Sequence, residues 1–298
     1  MPAWKALLRI NLLLSRAFLV FVIGSAIPFA GAADKPKVIA HRGGAALRPE
    51  NTIAAFQHAL KLGVDVLEFD MNVTADGRIV IHHDSSVNPA LCRLQAGSPT
   101  QPGPIGLLTI AKIRQFDCGS FERPNSPHYQ AVPGERIPTL DQFLTAVKAS
   151  PALLLGETKM PPLGSAHAVS PDRFVDLIYA TLKRHHVEDR FILQSSDYRT
   201  VDAMAKKYPE IRICLLNARQ FKPAYSALAR RHRATYLMLR AEDVDADQVR
   251  KLQSAGIQVF SGTANTAAEW KKYVDLRMDG ILTDDPRGLI KFLGQTAE

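Results

Sequence analysis

The 298-residue sequence predicts an α/β fold in which parallel strands close into an eight-stranded barrel of the TIM type. Short apolar segments alternate with helix-like segments from residue 37 onwards. The apolar segments are nearly continuous, as strands buried on both faces of a parallel sheet are. The chain also has enough residues for such a barrel, which usually needs about 250. With 46% hydrophobic residues, it is able to bury one large core.

Residues 1–33 have the three-part organisation of a secretory signal peptide. Lys5, Arg9 and Arg16 form a basic leader, residues 17–30 are almost all apolar, and small residues follow at the spacing that a signal peptidase cuts. The apolar run is shorter than the about 20 residues of a bilayer span. We therefore expect a cleaved signal, a periplasmic or secreted mature chain and no stable membrane insertion after cleavage. A retained membrane anchor is the alternative.

The strands and helices follow from hydrophobic periodicity. Strands are predicted over residues 37–41, 64–73, 78–83, 152–159, 190–195, 211–216, 234–239, 256–262 and 279–284. Helices are predicted over residues 52–62, 140–149, 172–186, 200–207, 223–231, 246–255 and 267–276. Nine strands are one too many for the barrel. The turn Ala75-Asp76-Gly77 is too short for a parallel crossover, so residues 66–83 should include an antiparallel hairpin that places Asp70 opposite His82.

Residues 85–136 interrupt this alternation. The segment is rich in Pro, Gly, Ser and Gln and has no clear periodicity. A span of this length without periodicity is either functional or mobile. We interpret residues 34–298 as one barrel domain, with the segment at about 85–136 inserted over the barrel mouth rather than folded as a second domain.

The charge balance and the cysteines restrict the classes of protein. The formal net charge is +8, and loss of the three leader cations leaves +5 on the mature chain. This mild excess suits an anionic substrate or simply solubility, and no stripe of Arg and Lys with interleaved aromatics favours nucleic acid. Cys92, Cys118 and Cys214 lack the spacing of a zinc site. In an exported protein two of them can pair, and Cys92 and Cys118 are the nearer two.

Ionisable residues end three of the predicted strands on the face that points into the barrel. Alternation puts Glu68 and Asp70 on one face of their strand and Glu157 and Lys159 on one face of theirs, while His41 ends the first strand. Active sites of barrels lie at these carboxyl ends. A lone carboxylate there is more often a cap or an ion-pair partner. Several together on an inner face are costly unless a cation neutralises them.

The residue types indicate what such a site is able to do. Arg42 and Lys159 supply positive charge, and a divalent metal is the alternative. Carboxylates such as Glu157 are hard oxygen ligands that suit Ca²⁺ or Mg²⁺. His41 and His83 titrate near neutrality and therefore suit acid–base work.

These motifs resemble the glycerophosphodiester phosphodiesterase family. "HRG" and "PENTIAAFQHALKLGVDVLEFDMNVTADGRIVIHHD" are similar to its first blocks, and "IPTLDQFL", "LLGETK", "RFILQSSD" and "MDGILTDDP" to the later ones. The resemblance covers about residues 37–290. It implies a (β/α)8 barrel with an insertion. It further implies that Glu68, Asp70 and Glu157 bind a divalent cation, Ca²⁺ or Mg²⁺. His41 and His83 would be the general acid and base, and Arg42 and Lys159 would contact the phosphate.

The implied reaction is metal-dependent hydrolysis of a small-molecule glycerophosphodiester to sn-glycerol 3-phosphate and an alcohol. A related barrel phosphodiesterase acting on lysophospholipids or other phosphodiesters is one alternative. A non-catalytic periplasmic binder of a phosphate ester is another, and it would predict a degraded acid–base pair. The oligomeric state is left open.

Some residues near the motifs receive a different interpretation. The family commonly has a tryptophan in a late strand, where this chain has Gly262 and keeps Asn265. This departure bears on substrate identity more than on chemistry. His82 is interpreted as a neighbour on the outer face of its strand, and Asp284 and Asp285 as residues that seal loops rather than bind metal.

Overall fold

The strands of the fold close into a ring. The computed structural model describes residues 35–294 apart from 124, 125, 163, 166 and 223, so the predicted signal peptide lies outside the described residues. Within them eleven strands form: Lys37–Ala40 (β1), Val66–Val73 (β2), Ile79–Ile81 (β3), Arg93–Leu94 (β4), Phe116–Asp117 (β5), Leu153–Thr158 (β6), Phe191–Ser195 (β7), Arg212–Leu215 (β8), Tyr236–Met238 (β9), Gln258–Gly262 (β10) and Gly280–Thr283 (β11).

Helices separate the strands along the chain. In the described part of the protein they are Ile53–Lys61 (α1), Ile110–Ile113 (α2), Leu140–Ala146 (α3), Pro171–His185 (α4), Tyr198–Lys207 (α5), Tyr225–Arg231 (α6), Ala246–Ser254 (α7), Ala267–Asp275 (α8) and Pro286–Phe292 (α9). The seven helices expected from periodicity are present, and α2 and α9 are additional. None of the helices in the described ranges is both long and apolar enough to cross a bilayer.

The eight-stranded barrel predicted from the sequence is confirmed. Strands β1, β2, β6, β7, β8, β9, β10 and β11 pair in parallel in this order, and β11 pairs with β1 to close the ring. The helices follow the strands and cover the ring from outside, where one large apolar cluster lies between the two layers. This is the layered arrangement expected of a TIM barrel.

A second apolar cluster fills the barrel below its mouth. Every barrel strand contributes to it: Ile39, Val66, Leu155, Ile192, Cys214, Tyr236, Met238, Phe260 and Leu282. Because side chains alternate along a strand, the next inward residue lies two positions further on. On β2, β6 and β7 that residue is Glu68, Glu157 and Gln194. The interior therefore changes from apolar to polar within one step towards the carboxyl ends.

The extra strand is the predicted hairpin. β3 pairs with β2 in antiparallel register, with Met71 opposite Ile81. The His82 amide donates to the Asp70 carbonyl oxygen at 3.0 Å, so the expected pairing of these two residues is confirmed. The hairpin returns the chain to the barrel mouth directly before His83.

The insertion after the hairpin is ordered around its own small core. Cys92 and Cys118 form a disulfide bond, which ties β4 to β5 and leaves Cys214 as a buried free thiol. The apolar cluster around the disulfide contains Val80, Val87, Cys92, Ile105, Leu108, Ile113, Phe116, Cys118 and Ile137. Because Val80 belongs to β3, the insertion shares this core with the hairpin.

Candidate active site

Three carboxylates meet at the carboxyl ends of β2 and β6. Glu68 and Asp70 lie on the inward face of β2, and the register of the two strands places Asp70 directly beside Glu157. All three are buried, with Glu68 and Asp70 each 1% exposed. One oxygen atom from each carboxylate lies within 4.8 Å of the others. The sequence prediction that these acids share a rim is borne out by this geometry.

Two cations offset part of this negative charge. Lys159 Nζ lies 3.1 Å from Asp70 Oδ1 and 2.9 Å from Glu157 Oε1. Arg42 Nε lies 3.5 Å from Asp70 Oδ2. Burial alone would raise the pKa of Asp70, but the charges of Lys159 and Arg42 lower it below its usual value. Asp70 is therefore held as a carboxylate.

The other two acids are less well compensated. Burial, and after it the charge of Asp70, raises the pKa of Glu68 to about 8. Burial also raises the pKa of Glu157, although Lys159 opposes the shift. A carboxylate whose pKa rises in this way is short of positive charge. The donor set therefore fits a cation that takes hard oxygen ligands.

Arg42 and Asn51 organise the acids from the loop after β1. Arg42 adopts a left-handed backbone conformation with φ 50°, and its amide donates to Glu68 Oε2 at 2.8 Å. Asn51 Nδ2 donates to Asp70 Oδ2 at 2.8 Å. The Arg42 guanidinium also binds Glu50, which in turn binds Arg123 of the insertion. Contact of Arg42 with phosphate stays a prediction.

His41 is held by a partner from the other end of the chain. Ala40 pairs with Thr283, so the next residues, His41 and Asp284, are neighbours. His41 Nδ1 lies 2.7 Å from Asp284 Oδ1, and Asn265 Nδ2 donates to Asp284 Oδ2 at 2.8 Å. Donation from Nδ1 to the carboxylate leaves Nε2 as the free nitrogen. Asp284 was expected only to seal a loop, and this role was missed.

His83 has an equivalent arrangement of partners. Its Nδ1 lies 2.8 Å from Asp84 Oδ1, and Asn88 Nδ2 donates to Asp84 Oδ2 at 2.7 Å. Both histidines thus carry an aspartate on Nδ1, and each aspartate is itself held by an asparagine. The adjacent aspartate in "HHD" was visible in the sequence, but its contact with the imidazole was not predicted.

The two histidines lie on different parts of the cleft over the barrel mouth. His41 lines a cavity of about 830 Å³ together with Glu68 and Glu157. His83 lines a cavity of about 760 Å³ together with Glu157 and Lys159. Glu157 borders both cavities, so the two parts of the cleft that hold the histidines share one of the three acids. This arrangement is able to serve proton transfer at two sides of one bound group.

Neighbouring polar residues have structural partners instead. His82 is buried, and its Nε2 accepts from the Asn88 amide at 3.3 Å under the insertion. The Ser195 hydroxyl bonds with Thr158 at 2.8 Å and with Thr200 at 3.1 Å. A serine nucleophile is not indicated, as was expected from the absence of a nucleophile-elbow motif.

Gly262 has no space for the tryptophan that the family commonly carries. Its φ is 149°, and a Cβ built there would meet the Leu282 carbonyl oxygen and lie 2.6 Å from Leu282 Cβ. The glycine therefore lets β10 pack closely on β11. The cleft beside it is lined by polar and charged side chains such as Asn217, Arg219 and Arg240.

We expect Asp284→Asn to lower kcat about 100-fold, within the range that general acid–base catalysis contributes. Burial by itself lowers the pKa of His41, but the hydrogen bond that His41 donates to Asp284 and the charges of Glu68 and Asp284 raise the pKa above 6.5. Loss of the carboxylate charge should therefore move the pH–rate limb of His41 to lower pH. Steady-state kinetics across pH 5–9 would show both changes.

The matched control for this variant is Asp285→Asn. Asp285 accepts from the Gly288 amide at the start of α9 and does not touch His41. This variant should keep the wild-type kcat and pH profile. If Asp284→Asn behaves like the control, Asp284 does not position His41.

The chain is similar in sequence to known phosphodiesterases. Residues 41–287 match the family model described as "Glycerophosphoryl diester phosphodiesterase family". A protein of Caldanaerobacter subterraneus subsp. tengcongensis named glycerophosphodiester phosphodiesterase is 30% identical, over 87% of this chain and 98% of the relative. A human protein named as a lysophospholipase D is 24% identical, over 86% of each chain.

Solved structures share the same fold. A phosphodiesterase of Oleispira antarctica, solved in complex with the product sn-glycerol-3-phosphate, superposes with a TM-score of 0.71. The alignment covers 87% of this chain and 97% of that chain at 24% identity. At this identity the likeness demonstrates a common barrel.

Proposed function

Because this chain belongs to the glycerophosphoryl diester phosphodiesterase family and is a phosphoric diester hydrolase, we propose that it converts glycerophosphodiesters to sn-glycerol 3-phosphate and an alcohol. One observation carries the proposal. One oxygen from each of three buried carboxylates lies within 4.8 Å of the others at the barrel mouth, and the cleft there is also lined by two histidines that each have an aspartate on Nδ1.

Glu68, Asp70 and Glu157 are the residues that we assign to a divalent cation. The raised pKa values of Glu68 and Glu157 support the assignment, since they reflect burial, and then the charge of Asp70, that the nearby cations do not offset. Carboxylate oxygens suit both Ca²⁺ and Mg²⁺. When bound, the cation would polarise the phosphoryl group and neutralise part of its charge.

His41 and His83 are the proposed acid–base pair. One histidine takes the proton of the nucleophile, and the other gives a proton to the leaving alkoxide. In-line displacement at phosphorus needs these groups on opposite sides of the reacting phosphate. The two histidines line different cavities with Glu157 between them, which supports this division of roles. The nucleophile is either water or the glycerol 2-hydroxyl, which would give a cyclic phosphate that water opens.

Lys159 and Arg42 are the proposed phosphate contacts. Lys159 borders the cleft beside Glu157. The Arg42 Nε is buried and lies 3.5 Å from Asp70 Oδ2 without forming a hydrogen bond in the described protein, so its N–H is an unused donor next to the acids. A charge-assisted hydrogen bond from either side chain would hold the phosphate against the acids.

The lining of the cleft favours a small, water-soluble substrate. Asn217, Arg219, Gln220 and Arg240 form much of the wall beyond His41. An acyl chain would desolvate these groups without giving them hydrogen bonds, at a cost for each buried polar group. We therefore favour glycerophosphodiesters over lysophospholipids.

The proposal includes export, with residues 1–33 acting as a cleaved signal that brings the enzyme to the periplasm or the exterior.

The products identify the reaction. We would incubate the protein with glycerophosphocholine and with the ethanolamine, serine and glycerol analogues, each with Ca²⁺ or Mg²⁺, and follow phosphorus by ³¹P NMR. The proposal predicts sn-glycerol 3-phosphate and the free alcohol. Choline phosphate with glycerol would place the cleavage on the wrong side of phosphorus, and turnover of lysophosphatidylcholine alone would favour the alternative substrate class.

Metal affinity should rise with pH up to about pH 8. The pKa of Glu68 near 8 means that the metal-free site holds about one proton at neutral pH, and a cation must displace it. Affinity should then increase by up to about tenfold per pH unit below pH 8. Calorimetry at pH 6–8, in buffers that differ in ionisation enthalpy, measures the affinity and the released proton together. An affinity that does not change with pH would contradict this charge state.

A further inference from the structure

A separate pocket lies outside the cleft, between the loop after β1, α1, the insertion and the start of α9. Its volume is about 230 Å³. None of its lining residues borders either cavity of the cleft. The lining consists of Leu47, Arg48, His58, Pro127, His128, Tyr129, Gln130 and Arg287.

The ionisable side chains around this pocket are basic apart from one tyrosine. Arg48 and Arg287 supply guanidinium groups, and two histidines supply imidazoles. Among the described residues no carboxylate lines the pocket, and no acid lies within salt-bridge distance of Arg48 or Arg287. Glu50 lies near Tyr129, but its two oxygens already bind Arg42 and Arg123.

The cations repel one another. Burial lowers the pKa of Arg48, and the charge of Arg287 lowers it further. Burial also lowers the pKa of His58, followed by the charges of Arg48, Arg287 and Lys61. A group of like charges without a counter-charge is unfavourable, and a bound anion would relieve the repulsion.

We propose that this pocket is a second anion site, which binds the phosphate group of a phosphomonoester, inorganic phosphate or an anionic lipid headgroup. Arg48 and Arg287 approach from separate segments, and guanidinium groups bind phosphate oxygens in bidentate fashion. Tyr129 and Gln130 also line the pocket, and their side chains carry a hydroxyl and a carboxamide that are able to donate to an anion. The site is distinct from the proposed catalytic one, so it extends the function without depending on it.

Inorganic phosphate is the first probe. We would titrate it calorimetrically into the chelated wild-type protein, the Arg48→Gln/Arg287→Gln variant and an Arg230→Gln/Arg231→Gln control. The control pair removes the same charge from the end of α6, across the barrel ring from β1. Phosphate bound in the cleft is common to all three proteins and cancels in the comparison.

The proposal predicts that Arg48→Gln/Arg287→Gln loses at least tenfold in affinity or loses one binding event, while the control stays within twofold of wild type. Without phosphate, Arg48→Gln/Arg287→Gln should melt no lower than wild type, because the substitutions relieve the repulsion, and all three proteins should have the same basal turnover. Co-sedimentation with phosphatidylglycerol vesicles, against phosphatidylcholine vesicles, separates the two sources. If the protein sediments with phosphatidylglycerol vesicles only when Arg48 and Arg287 are present, the ligand is a lipid headgroup. If it binds phosphate but does not sediment with the vesicles, the ligand is a soluble phosphate compound. Equal binding of phosphate and vesicles by wild type and Arg48→Gln/Arg287→Gln would overturn the proposal.

Discussion

Replacing His41 or His83 by glutamine lowers kcat by about 10²–10⁴-fold, the usual contribution of a general acid or base. Glutamine keeps a polar group next to Asp284 or Asp84 but is unable to accept and release a proton. The substrate KM should change far less than kcat, because the acids, Lys159 and Arg42 are untouched. Steady-state kinetics with saturating metal would measure both constants.

His82→Gln is the matched control for these variants. His82 directly precedes His83 but is buried under the insertion and does not line the cleft. Its replacement should change kcat less than tenfold. The double variant His41→Gln/His83→Gln should lose little more than the worse single variant, since residues that act as a unit are not additive. A folded His41→Gln or His83→Gln protein with wild-type kcat would remove that histidine from the mechanism.

Glu68→Gln should abolish metal-dependent turnover while stabilising the metal-free protein at alkaline pH. Loss of one of the three carboxylates removes a proposed cation ligand, and we expect kcat to fall at least about 100-fold. The stability of the metal-free protein should instead increase. Glu68 is a buried acid beside Asp70 with a pKa raised to about 8, so its ionisation above that pH is unfavourable in the folded state.

The sign of the pH dependence follows from the two states of Glu68. Unfolded Glu68 ionises near its model value of 4.5, whereas folded Glu68 ionises near 8. Between these values the native state holds a proton that the unfolded state has lost, so the stability of the metal-free protein falls as pH rises. Glutamine does not ionise in this pH range, so the variant does not undergo this decrease in stability as pH rises. At pH 8.5 the variant should therefore be more stable by at least about 1 kcal/mol.

Urea unfolding of the chelated proteins at pH 6 and pH 8.5 measures this difference. Glu135→Gln is the control, since burial also raises the pKa of Glu135 but its side chain contacts the Ala54 amide at the start of α1. Glu135→Gln should retain metal-dependent turnover. If Glu68→Gln lowers the free energy of unfolding at pH 8.5, the folded protein does not raise the pKa of Glu68 as described.

The fold and the acids were accessible to sequence reasoning because local rules govern them. Alternation along 64–73 and 152–159 assigned four residues to the inner face: Glu68, Asp70, Glu157 and Lys159. Strands β2 and β6 confirm this for the acids, and the ion pairs of Lys159 with Asp70 and Glu157 place its side chain beside them. The short turn at Asp76 identified the hairpin, because no parallel crossover fits such a length.

The partner of His41 was not accessible from the sequence, because it depends on how the ring closes. His41 and Asp284 are 243 positions apart and meet only through the pairing of β1 with β11. The sequence also did not reveal that the insertion has an ordered core of its own. Its Pro- and Gly-rich composition gives no periodicity, and its core forms around the Cys92–Cys118 bond. The anion pocket draws on four segments that no spacing connects.

Metal-dependent release of sn-glycerol 3-phosphate tests the central claim most directly. The protein would be chelated exhaustively, assayed on glycerophosphocholine and its headgroup analogues with an enzyme-coupled readout of glycerol 3-phosphate, and assayed again after Ca²⁺ or Mg²⁺ is restored. We expect at least a 100-fold loss on chelation and recovery with one of the two ions. Undiminished release in chelator, or no release from any analogue with either ion, would contradict the proposal that Glu68, Asp70 and Glu157 bind a catalytic cation.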